Sequence, residues 1–481
     1  METLLIAGEW TGARDGRSFD KTDPYTGEPA GSAAAAGRED ARAAADAAAE
    51  AFPEWAATPP GARRELLQKA AGLITERAEE IAGIVTEETG GTLGWGMFNC
   101  DLAAGMLGEA AAQTTSATGE IIPSNVPGLT AMGVRQPAGV VLGIAPWNAP
   151  VILGTRAVAS PLAYGNTVVL KASEVCPRTH AEIGRALADA GLPPGVVNVV
   201  THEAADAPDV VDELIAHPAV RRINFTGSTR VGRLVAENAA RHLKRVLLEL
   251  GGKAPLVVLP DADLDEAVAA AKFGAFMHQG QICMSTERVV VDRSVSGDFT
   301  QLLGEKASAL AVGDPRDPNT QIGPLVNAKA VERVNGLVRD AVDQGAELIT
   351  GGEPDGALYP PTVLAGVTPQ MRIYGEESFG PVVSLLEVDG ADEAVRVAND
   401  TEYGLAAAVF GKDVPTALDV ARRIESGICH VNGSTVHDEP QMPFGGVKAS
   451  GFGRFGGKAA LEEFTELRWI TVQQGSRHYP I

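Results

Sequence analysis

The chain has 481 residues, 45% of them hydrophobic and 21% charged, which is ordinary for a globular protein of two or three domains. Its 62 Asp and Glu against 40 Lys and Arg give a net charge of −22, which argues against nucleic acid or an anionic membrane as a partner. Four widely spaced cysteines form no CxxC pair, so we expect neither a metal site nor a disulfide framework and favour a reducing cytoplasm. No apolar run reaches membrane-spanning length, and no signal peptide is expected.

The first part of the chain is predicted to be mainly helical, after short strands and turns in residues 1–30. Apolar residues at helical spacing predict helices at Arg38–Ala51, Arg63–Thr89 and Trp95–Ala112. Residues 119–137 differ, because two prolines divide β-prone segments, and we expect an extended ribbon outside the main sheet.

From residue 140 onward, continuous apolar strands alternate with amphipathic helices, which predicts parallel sheets covered on both faces. The first unit has predicted strands at 140–144, 167–170, 196–200, 222–225 and 245–250, with helices at 150–163, 178–190, 207–216 and 229–240. A second α/β unit starts at 256–259, continues through a helix at 261–277, and has later strands at 287–291, 382–388, 405–410 and 427–431. The β-rich run 465–473 is predicted to pair with the ribbon at 129–134, and both segments suit a subunit contact.

Polar residues follow four strands of the first unit, at the sheet edge where parallel sheets bind ligands. These stretches are Pro146–Pro150, Lys171–Glu174, Thr226–Thr229 and Glu249–Gly252. Each has two interpretations. Gly227 and Ser228 suit phosphate binding at a helix start, or Ser228 is an ordinary N-cap. Glu174 suits the ribose hydroxyls of an adenosine, or it forms a surface pair with Lys171.

One literal G-x-G-x-x-G occurs, at residues 451–456. It follows no buried strand of a predicted βαβ unit, although the dinucleotide fingerprint needs that context. We therefore interpret it as a turn.

Cys283 lies among Gln and Gly residues at a predicted turn, where a thiol can ionise and be reached by a substrate, although most cysteines are structural. The Asn148 amide and the Cys283 N–H would stabilise an oxyanion, or Asn148 is a turn residue. Burial of Glu249 at a strand end would raise its pKa and suit a general base, or it caps backbone. His278 either pairs with the thiol or, as we favour, faces solvent at a helix end.

Seven stretches resemble, in order, the motifs of the aldehyde dehydrogenase superfamily, and together they cover nearly the whole chain. They are PWN (146–148), KASE (171–174), FTGS (225–228), LELGG (248–252), GQIC (280–283), EESFGP (376–381) and PFGGVKASG (443–451). Residues 283–288 and the tail from Pro440 resemble most the branch of benzaldehyde, vanillin and salicylaldehyde dehydrogenases. The resemblance implies NAD(P)-dependent oxidation of an aldehyde to an acid by a homodimer or homotetramer.

The resemblance also implies residue roles and domains. Cys283 would attack the aldehyde, Asn148 would hold the oxyanion, and Glu249 would activate the water that hydrolyses the thioester. The implied cofactor residues are Ile144, Trp147, Lys171, Glu174, Thr226, Gly227, Ser228, Leu250, Glu377 and Phe379. The implied parts are a Rossmann-type dinucleotide-binding domain (1–118 and 138–248), a second α/β catalytic domain (249–450) and a bridging β-ribbon (119–137 and 464–481).

Two departures from the family pattern bear on substrate and mechanism. Many relatives have Phe at the position of Ala149. The absence of that Phe ring leaves space for a planar substrate ring, or the substitution is neutral. Trp95 would form a wall for that ring or belong to the core, and Arg156 would meet a phenolic hydroxyl or a carboxylate. Phe455 stands where many hydrolytic relatives have Glu, which puts any auxiliary proton relay in doubt.

Two alternatives to an aromatic aldehyde dehydrogenase stay open on the residues. One is an aliphatic aldehyde or semialdehyde dehydrogenase of the same superfamily, and the other is a cysteine hydrolase or acyltransferase that uses Cys283 and His278. For the cofactor we expect NAD, since Glu174 would accept the ribose hydroxyls and repel a 2′-phosphate. Lys171 softens that repulsion, so NADP is expected at lower efficiency.

Overall fold

A computed structural model describes residues 2–481. Its first part contains four short strands and four helices: β1 (Leu4–Ile6), β2 (Glu9–Thr11), β3 (Ser18–Thr22), β4 (Pro29–Ala34), α1 (Arg38–Ala57), α2 (Pro60–Glu76), α3 (Ala78–Thr89) and α4 (Leu93–Gln113). The prediction of one helix over Arg63–Thr89 is wrong. Arg77, with φ −96° and ψ 10°, leaves the helical region and separates two helices. The predicted end at Thr89 is confirmed, because Gly90 follows it with a left-handed φ of 74°.

The first large sheet is built around five parallel strands. The chain runs β5 (Glu120–Ile122), β6 (Leu129–Pro137), β7 (Val140–Ile144), α5 (Pro150–Ala163), β8 (Thr167–Lys171), α6 (Pro177–Ala190), β9 (Val197–Val200), α7 (Ala207–Ala216), β10 (Val220–Thr226), α8 (Thr229–Arg241) and β11 (Arg245–Glu249). The parallel order is β11-β10-β7-β8-β9, and β1 and β2 extend the β9 edge. Strands β7 and β8 are buried at every position because helices cover both faces.

The order of these strands creates a crevice beside β7. The chain first adds β8 and β9 on one side of β7, and then adds β10 and β11 on the other. The loops that leave β7 and β10 therefore diverge, and such a switch point is where open parallel sheets bind ligands. The stretches 146–150 and 226–229 lie on these two loops, as the sequence predicts.

The second large sheet has seven strands in the order β14-β15-β16-β13-β12-β17-β18, all parallel except β14. Its elements are β12 (Ala254–Val258), α9 (Leu264–Phe276), β13 (Thr286–Asp292), α10 (Arg293–Ser308), α11 (Ala328–Asp343), β14 (Glu347–Thr350), β15 (Thr362–Ala365), α12 (Arg372–Gly375), β16 (Val382–Val388), α13 (Gly390–Asn399), β17 (Ala406–Phe410), α14 (Val414–Arg423) and β18 (Ile428–Val431). Short 3-10 turns cover Ala204–Asp206, Met277–Gly280 and Lys448–Ser450.

The chain ends with β19 (Gly451–Phe452), α15 (Ala459–Phe464) and β20 (Thr465–Gln473). Strand β20 pairs antiparallel with β6 along its whole length, from Thr465 opposite Pro137 to Gln473 opposite Leu129, which confirms the predicted pairing. Strand β5 completes this three-stranded ribbon. The G-x-G-x-x-G stretch opens with β19, which pairs antiparallel with β11, so it is not the strand-to-helix turn of a dinucleotide fingerprint, as predicted, although its first two residues form a strand and not a turn.

Two features are absent from residues 2–481. None of the helices there combines the length and the apolar character needed to cross a bilayer. No group of three or more His, Cys, Asp or Glu side chains in that range is placed to hold a metal ion.

Candidate active site

Cys283 lies on a turn between α9 and β13, directly after an unusual stretch of backbone. His278, Gln279 and Gly280 all have left-handed φ angles, of 49°, 56° and 69°. A Cβ on Gly280 would lie 2.1 Å from the carbonyl oxygen of Gly380, so only glycine fits there. The Gln279 amide donates to the carbonyl oxygens of Gly90 (3.1 Å) and Pro324 (2.9 Å), which holds the strained run in place.

Cys283 is partly buried and lines two cavities, one on each side. Burial, followed by the negative charge of nearby Glu249, raises the pKa of the thiol to about 12. The expectation that a turn would favour ionisation of this thiol is therefore wrong for the protein as it stands. Its proton must be removed by a base, or its pKa lowered by a bound positive charge, before it can act as a nucleophile.

Asn148 also lines both cavities and is held rigidly by its neighbours. Its side-chain amide donates to the carbonyl oxygen of Gln281 at 2.9 Å. Its own carbonyl oxygen accepts from the indole N–H of Trp95 at 3.1 Å. The structure thus places the Asn148 amide beside the turn that carries Cys283, as an oxyanion donor requires.

Glu249 ends β11 and is only 2% exposed. Burial raises the pKa of its carboxyl to about 8, while the charges of Arg156 and Arg454 act in the opposite direction. Neither carboxyl oxygen has a hydrogen-bond partner within residues 2–481. Space for the side chain depends on Gly445, where a Cβ would lie 2.7 Å from Glu249 Oε1. The predicted rise in pKa is confirmed. The backbone N–H of Gly446 lies outside hydrogen-bond geometry but acts to lower this pKa, so the alternative interpretation as a backbone cap stays open.

The first cavity, here called the loop-lined cavity, has a volume of about 210 Å³. Trp147 and Phe379 meet edge to face there at 5.7 Å between ring centroids. Glu377 Oε1 accepts from the backbone N–H of Gly252 at 2.9 Å, and burial raises the pKa of Glu377 to about 7. The predicted residues that it brings together with Cys283 and Asn148 are Trp147, Thr226, Gly227, Ser228, Leu250, Glu377 and Phe379.

Three other predicted cofactor residues lie farther along the same sheet edge. Ile144 and Lys171 are neighbours in register at the ends of β7 and β8, and Glu174 follows on the next loop. Burial lowers the pKa of Lys171. Within residues 2–481, the lining of the loop-lined cavity includes none of these three. Ser228 caps α8 through its hydroxyl, which accepts from the N–H of Val231 at 3.4 Å, so the N-cap interpretation of its side chain holds.

The second cavity, here called the helix-lined cavity, has a volume of about 350 Å³ and a mostly apolar lining. Trp95, Ala149 and Arg156 all line it, as predicted. Sequence reasoning missed the other lining residues, which are Phe98, Leu102, Ile152, Leu153, Phe273, Met277, Ile282, Met284, Val436, His437, Asp438 and Phe444. The helical spacing of three or four residues from Trp95 and Arg156 would have found Phe98 and Ile152.

His278 is buried, at 3% exposure, so the expectation that it faces solvent is wrong. Its ring stacks on Trp95 with centroids 4.6 Å apart and an interplanar angle of 12°. Burial lowers the pKa of His278 to about 3, and both ring nitrogens lack a hydrogen-bond partner within residues 2–481. A neutral imidazole with no bond to the thiol of Cys283 gives no support to a Cys–His dyad.

Phe455, which replaces a glutamate of many relatives, is 1% exposed and packs near Phe464 at 6.3 Å between centroids. It belongs to the apolar core and cannot carry a proton. Two further residues that sequence reasoning missed support the loop-lined cavity. Arg333 lines it and donates to the carbonyl oxygen of Glu377. Glu287 accepts from the N–H groups of Ser378 (2.7 Å) and Phe379 (3.2 Å) and pairs with buried Lys253 at 2.5 Å.

A doubly wound sheet with a crevice at its switch point, joined to a second sheet that carries a cysteine turn, defines a class of two-sheet α/β proteins with a thiol between two cavities. The chain belongs to the aldehyde dehydrogenase family, whose model matches residues 10–470. It is therefore an oxidoreductase that acts on aldehydes. Enzymes of this family use NAD or NADP.

Named relatives match along their whole length. Vanillin dehydrogenase of Pseudomonas fluorescens is 58% identical over 478 residues, which cover 99% of each chain. An NAD⁺-linked benzaldehyde dehydrogenase of Pseudomonas putida is 40% identical over 99% of this chain and 97% of its own. The crystal structure of a salicylaldehyde dehydrogenase from Pseudomonas putida G7, complexed with salicylaldehyde, superposes with a TM-score of 0.98 at 46% identity, covering 100% of this chain and 99% of that one.

Proposed function

We propose that the enzyme oxidises aromatic aldehydes of the benzaldehyde, vanillin or salicylaldehyde type to carboxylic acids, with NAD preferred over NADP. The observation that carries this proposal is the helix-lined cavity, which runs between Trp95 and Ala149 and reaches Cys283. A Phe in place of Ala149 would fill space next to Asn148, where the substrate carbonyl has to sit. The relatives named for vanillin and benzaldehyde add support at 58% and 40% identity.

The loop-lined cavity suits the nicotinamide end of the cofactor. Helix α8 begins at Thr229, so Gly227 and Ser228 offer an N-terminal end that favours a phosphate. Glu377, a buried carboxylate on the lining, suits ribose hydroxyls, and Phe379 and Trp147 supply flat apolar contacts. When bound, NAD would supply a hydride acceptor.

The proposed chemistry follows from the residues around Cys283. The Cys283 thiol transfers its proton to a base and adds to the aldehyde carbon, which gives a thiohemiacetal. Asn148 and the Cys283 N–H hold the developing oxyanion, a contribution of several kcal/mol in related sites. Loss of hydride from that carbon leaves a thioester on the sulfur. Glu249 takes a proton from water, which attacks the thioester and releases the acid and the free thiol.

Glu249 must rotate to do this, because it does not line either cavity in the described residues 2–481. Its pKa of about 8 is close to the operating range of a base near neutral pH. The position of Phe455 leaves Glu249 as the base without an auxiliary carboxylate after Arg454.

We also infer a division into a dinucleotide-binding domain (1–118 and 138–248), a catalytic domain (249–450) and a bridging ribbon (119–137 and 464–481). Exposed apolar side chains on the ribbon support a subunit contact: Ile121 is 79% exposed, Leu467 63% and Trp469 76%. Large apolar residues on an open sheet edge favour pairing with another chain. The proposed assembly is a homodimer or homotetramer.

The test is a kinetic panel monitored by NADH or NADPH formation. The proposal expects a higher kcat/KM for benzaldehyde, vanillin or salicylaldehyde than for hexanal or succinic semialdehyde, and a higher value with NAD than with NADP. A preference for hexanal or for the semialdehyde would refute the aromatic assignment. Ester hydrolysis without any need for nucleotide, and no aldehyde oxidation, would favour a cysteine hydrolase instead.

A further inference from the structure

The helix-lined cavity contains one charged pair in an otherwise apolar lining. Arg156, on α5, donates through Nη2 to Oδ2 of Asp438, on the loop after β18. Their side chains are only 7% and 9% exposed. The guanidinium of Arg156 also lies over the ring of Phe444, at 4.2 Å from the centroid. These contacts fix Arg156 and one oxygen of Asp438 in place.

The second oxygen of Asp438 is not used by the protein. Oδ1 is buried and has no hydrogen-bond partner within residues 2–481. Buried acceptors are nearly always paired, and a carboxylate oxygen that lacks a donor is costly. Asp438 is on the cavity lining although Oδ1 itself has no exposed surface, so a ligand bound in the cavity can provide the missing donor once the side chain turns this oxygen toward it.

We propose that Asp438 is a specificity-determining residue that accepts a hydrogen bond from a hydroxyl group on the ring of the aromatic aldehyde. The inference rests on the proposed function and narrows its substrate class to hydroxylated benzaldehydes. A phenolic hydroxyl supplies the donor that Oδ1 lacks, whereas a methoxy group or a bare ring does not. Arg156 balances the charge of Asp438, so the pair favours a neutral phenol.

The Arg156–Asp438 pair also disfavours aldehydes that carry a carboxylate group elsewhere in the molecule. Such a group would meet the unpaired Oδ1 at close range, and the positive charge of Arg156 is already engaged by Oδ2. His437, the neighbouring polar residue on the lining, contacts Glu439 at 3.0 Å through its Nε2, and its ring lies against His430. Asp438 is thus the acceptor on this side of the cavity.

The experiment compares matched aldehydes that differ only in hydrogen-bond donation. We would measure kcat/KM with saturating NAD for hydroxybenzaldehydes and methoxybenzaldehydes substituted at the ortho, meta and para positions. The variants are Asp438→Asn and, as the matched control, Glu439→Gln, which removes a neighbouring negative charge outside the cavity. In Asp438→Asn the amide oxygen faces Arg156, so the NH₂ group faces the ring and donates.

The wild type is expected to favour hydroxyl over methoxy about tenfold at one ring position. Asp438→Asn should abolish or reverse that ratio, and Glu439→Gln should keep it. An unchanged ratio in Asp438→Asn would overturn the inference. So would a wild type that shows no hydroxyl preference at any ring position, a result that does not depend on whether the variant folds.

The outcomes separate this inference from the proposed function. A wild type that prefers hexanal to every aromatic aldehyde refutes the proposed function itself. A wild type that prefers benzaldehyde to hexanal but ignores ring hydroxyls refutes only the role of Asp438. Binding of the same aldehyde pairs to Cys283→Ala, followed by tryptophan fluorescence, provides a second readout without turnover, and equal affinities there would also overturn the role of Asp438.

Discussion

The two cavities that meet at Cys283 are formed by different kinds of structural element. The loop-lined cavity is formed by strand-end loops, a helix start and the backbone around Gly227 and Gly251. The helix-lined cavity is formed by side chains from α4, α5, α9 and the segment 436–444. The first offers N–H groups and one buried carboxylate, that of Glu377, and the second offers aromatic and aliphatic surface around the charged pair of Arg156 and Asp438.

This difference separates binding of a ligand that the whole family shares from selection of a particular aldehyde. The loop-lined cavity combines strand ends and a helix start with side chains such as Trp147, Glu377 and Phe379, so it suits a ligand that is the same for every member of a family. A cavity made from side chains changes with each substitution, and therefore sets which aldehyde is accepted. Among residues 2–481, only Asn148 and Cys283 belong to both linings, so the reaction between the two bound ligands depends on these two side chains.

Cys283→Ala is the largest predicted effect, because it removes the atom shared by both cavities. Aldehyde oxidation should fall by at least about 10⁴-fold, while NAD still binds with near wild-type affinity by calorimetry. Cys429→Ala, which removes another partly buried thiol that belongs to neither lining, is the control and should keep full activity. Substantial turnover by purified Cys283→Ala would refute the nucleophile assignment.

Glu249→Gln should slow the steady state by about 100-fold or more, since a general base is lost after hydride transfer. Stopped-flow absorbance should show a burst of NADH followed by a slow phase. That result would place the defect after hydride transfer, at hydrolysis of the thioester. A proportional loss of burst and steady state would indicate a structural role for Glu249 instead.

The pH profile gives a check on the same residue. Glu249 has a pKa of about 8, so its basic form grows as pH rises, and the steady-state rate of the wild type should increase through that value. The same carboxyl has a pKa of about 4.5 in the unfolded chain. Between these two pKa values, the folded protein therefore keeps a proton on Glu249 that the unfolded chain has released. Its contribution to stability is therefore complete below about pH 4.5 and is lost as pH rises through about 8. Glu249→Gln should lack the rise in rate.

Ala149→Phe tests the helix-lined cavity alone. The added ring should lower kcat/KM for benzaldehyde about tenfold, because the space beside Asn148 is filled. The KM for NAD should stay unchanged, since Ala149 is not on the loop-lined cavity of the described chain. An unchanged kcat/KM for benzaldehyde, or a KM for NAD that rises by the same factor, would contradict the assignment of separate ligands to the two cavities.

Glu174→Gln is the smallest predicted effect and concerns the far end of the cofactor. If Glu174 accepts the ribose hydroxyls as predicted, loss of its charge should reduce the NAD:NADP ratio of kcat/KM by about fivefold. Glu203→Gln, an exposed residue on a nearby loop, is the control. A wild type with higher kcat/KM for NADP than for NAD would contradict the assigned role of Glu174 at the outset.

Sequence reasoning reached the loop-lined side more completely than the helix-lined side, for a physical reason. Helices Pro150–Ala163 and Ala207–Ala216 were predicted with the bounds that they have, and the loops between such elements carry short patterns. The helix-lined cavity joins residues from distant parts of the chain, such as Trp95 and Asp438, which no local pattern connects. His278 illustrates the limit, because its burial comes from stacking on Trp95.

The ribbon has a consequence for how the protein is made. Arg135 of β6 bonds to Thr465, a residue 330 positions later in the chain. A ribosome that adds about 5–20 residues per second needs roughly 15–65 s to cover that interval. During that time β6 is synthesised but its partner β20 is not, so one edge of β6 stays open. Nascent chains on neighbouring ribosomes expose the same edge together, and an open strand edge of this kind favours pairing between chains until β20 is made.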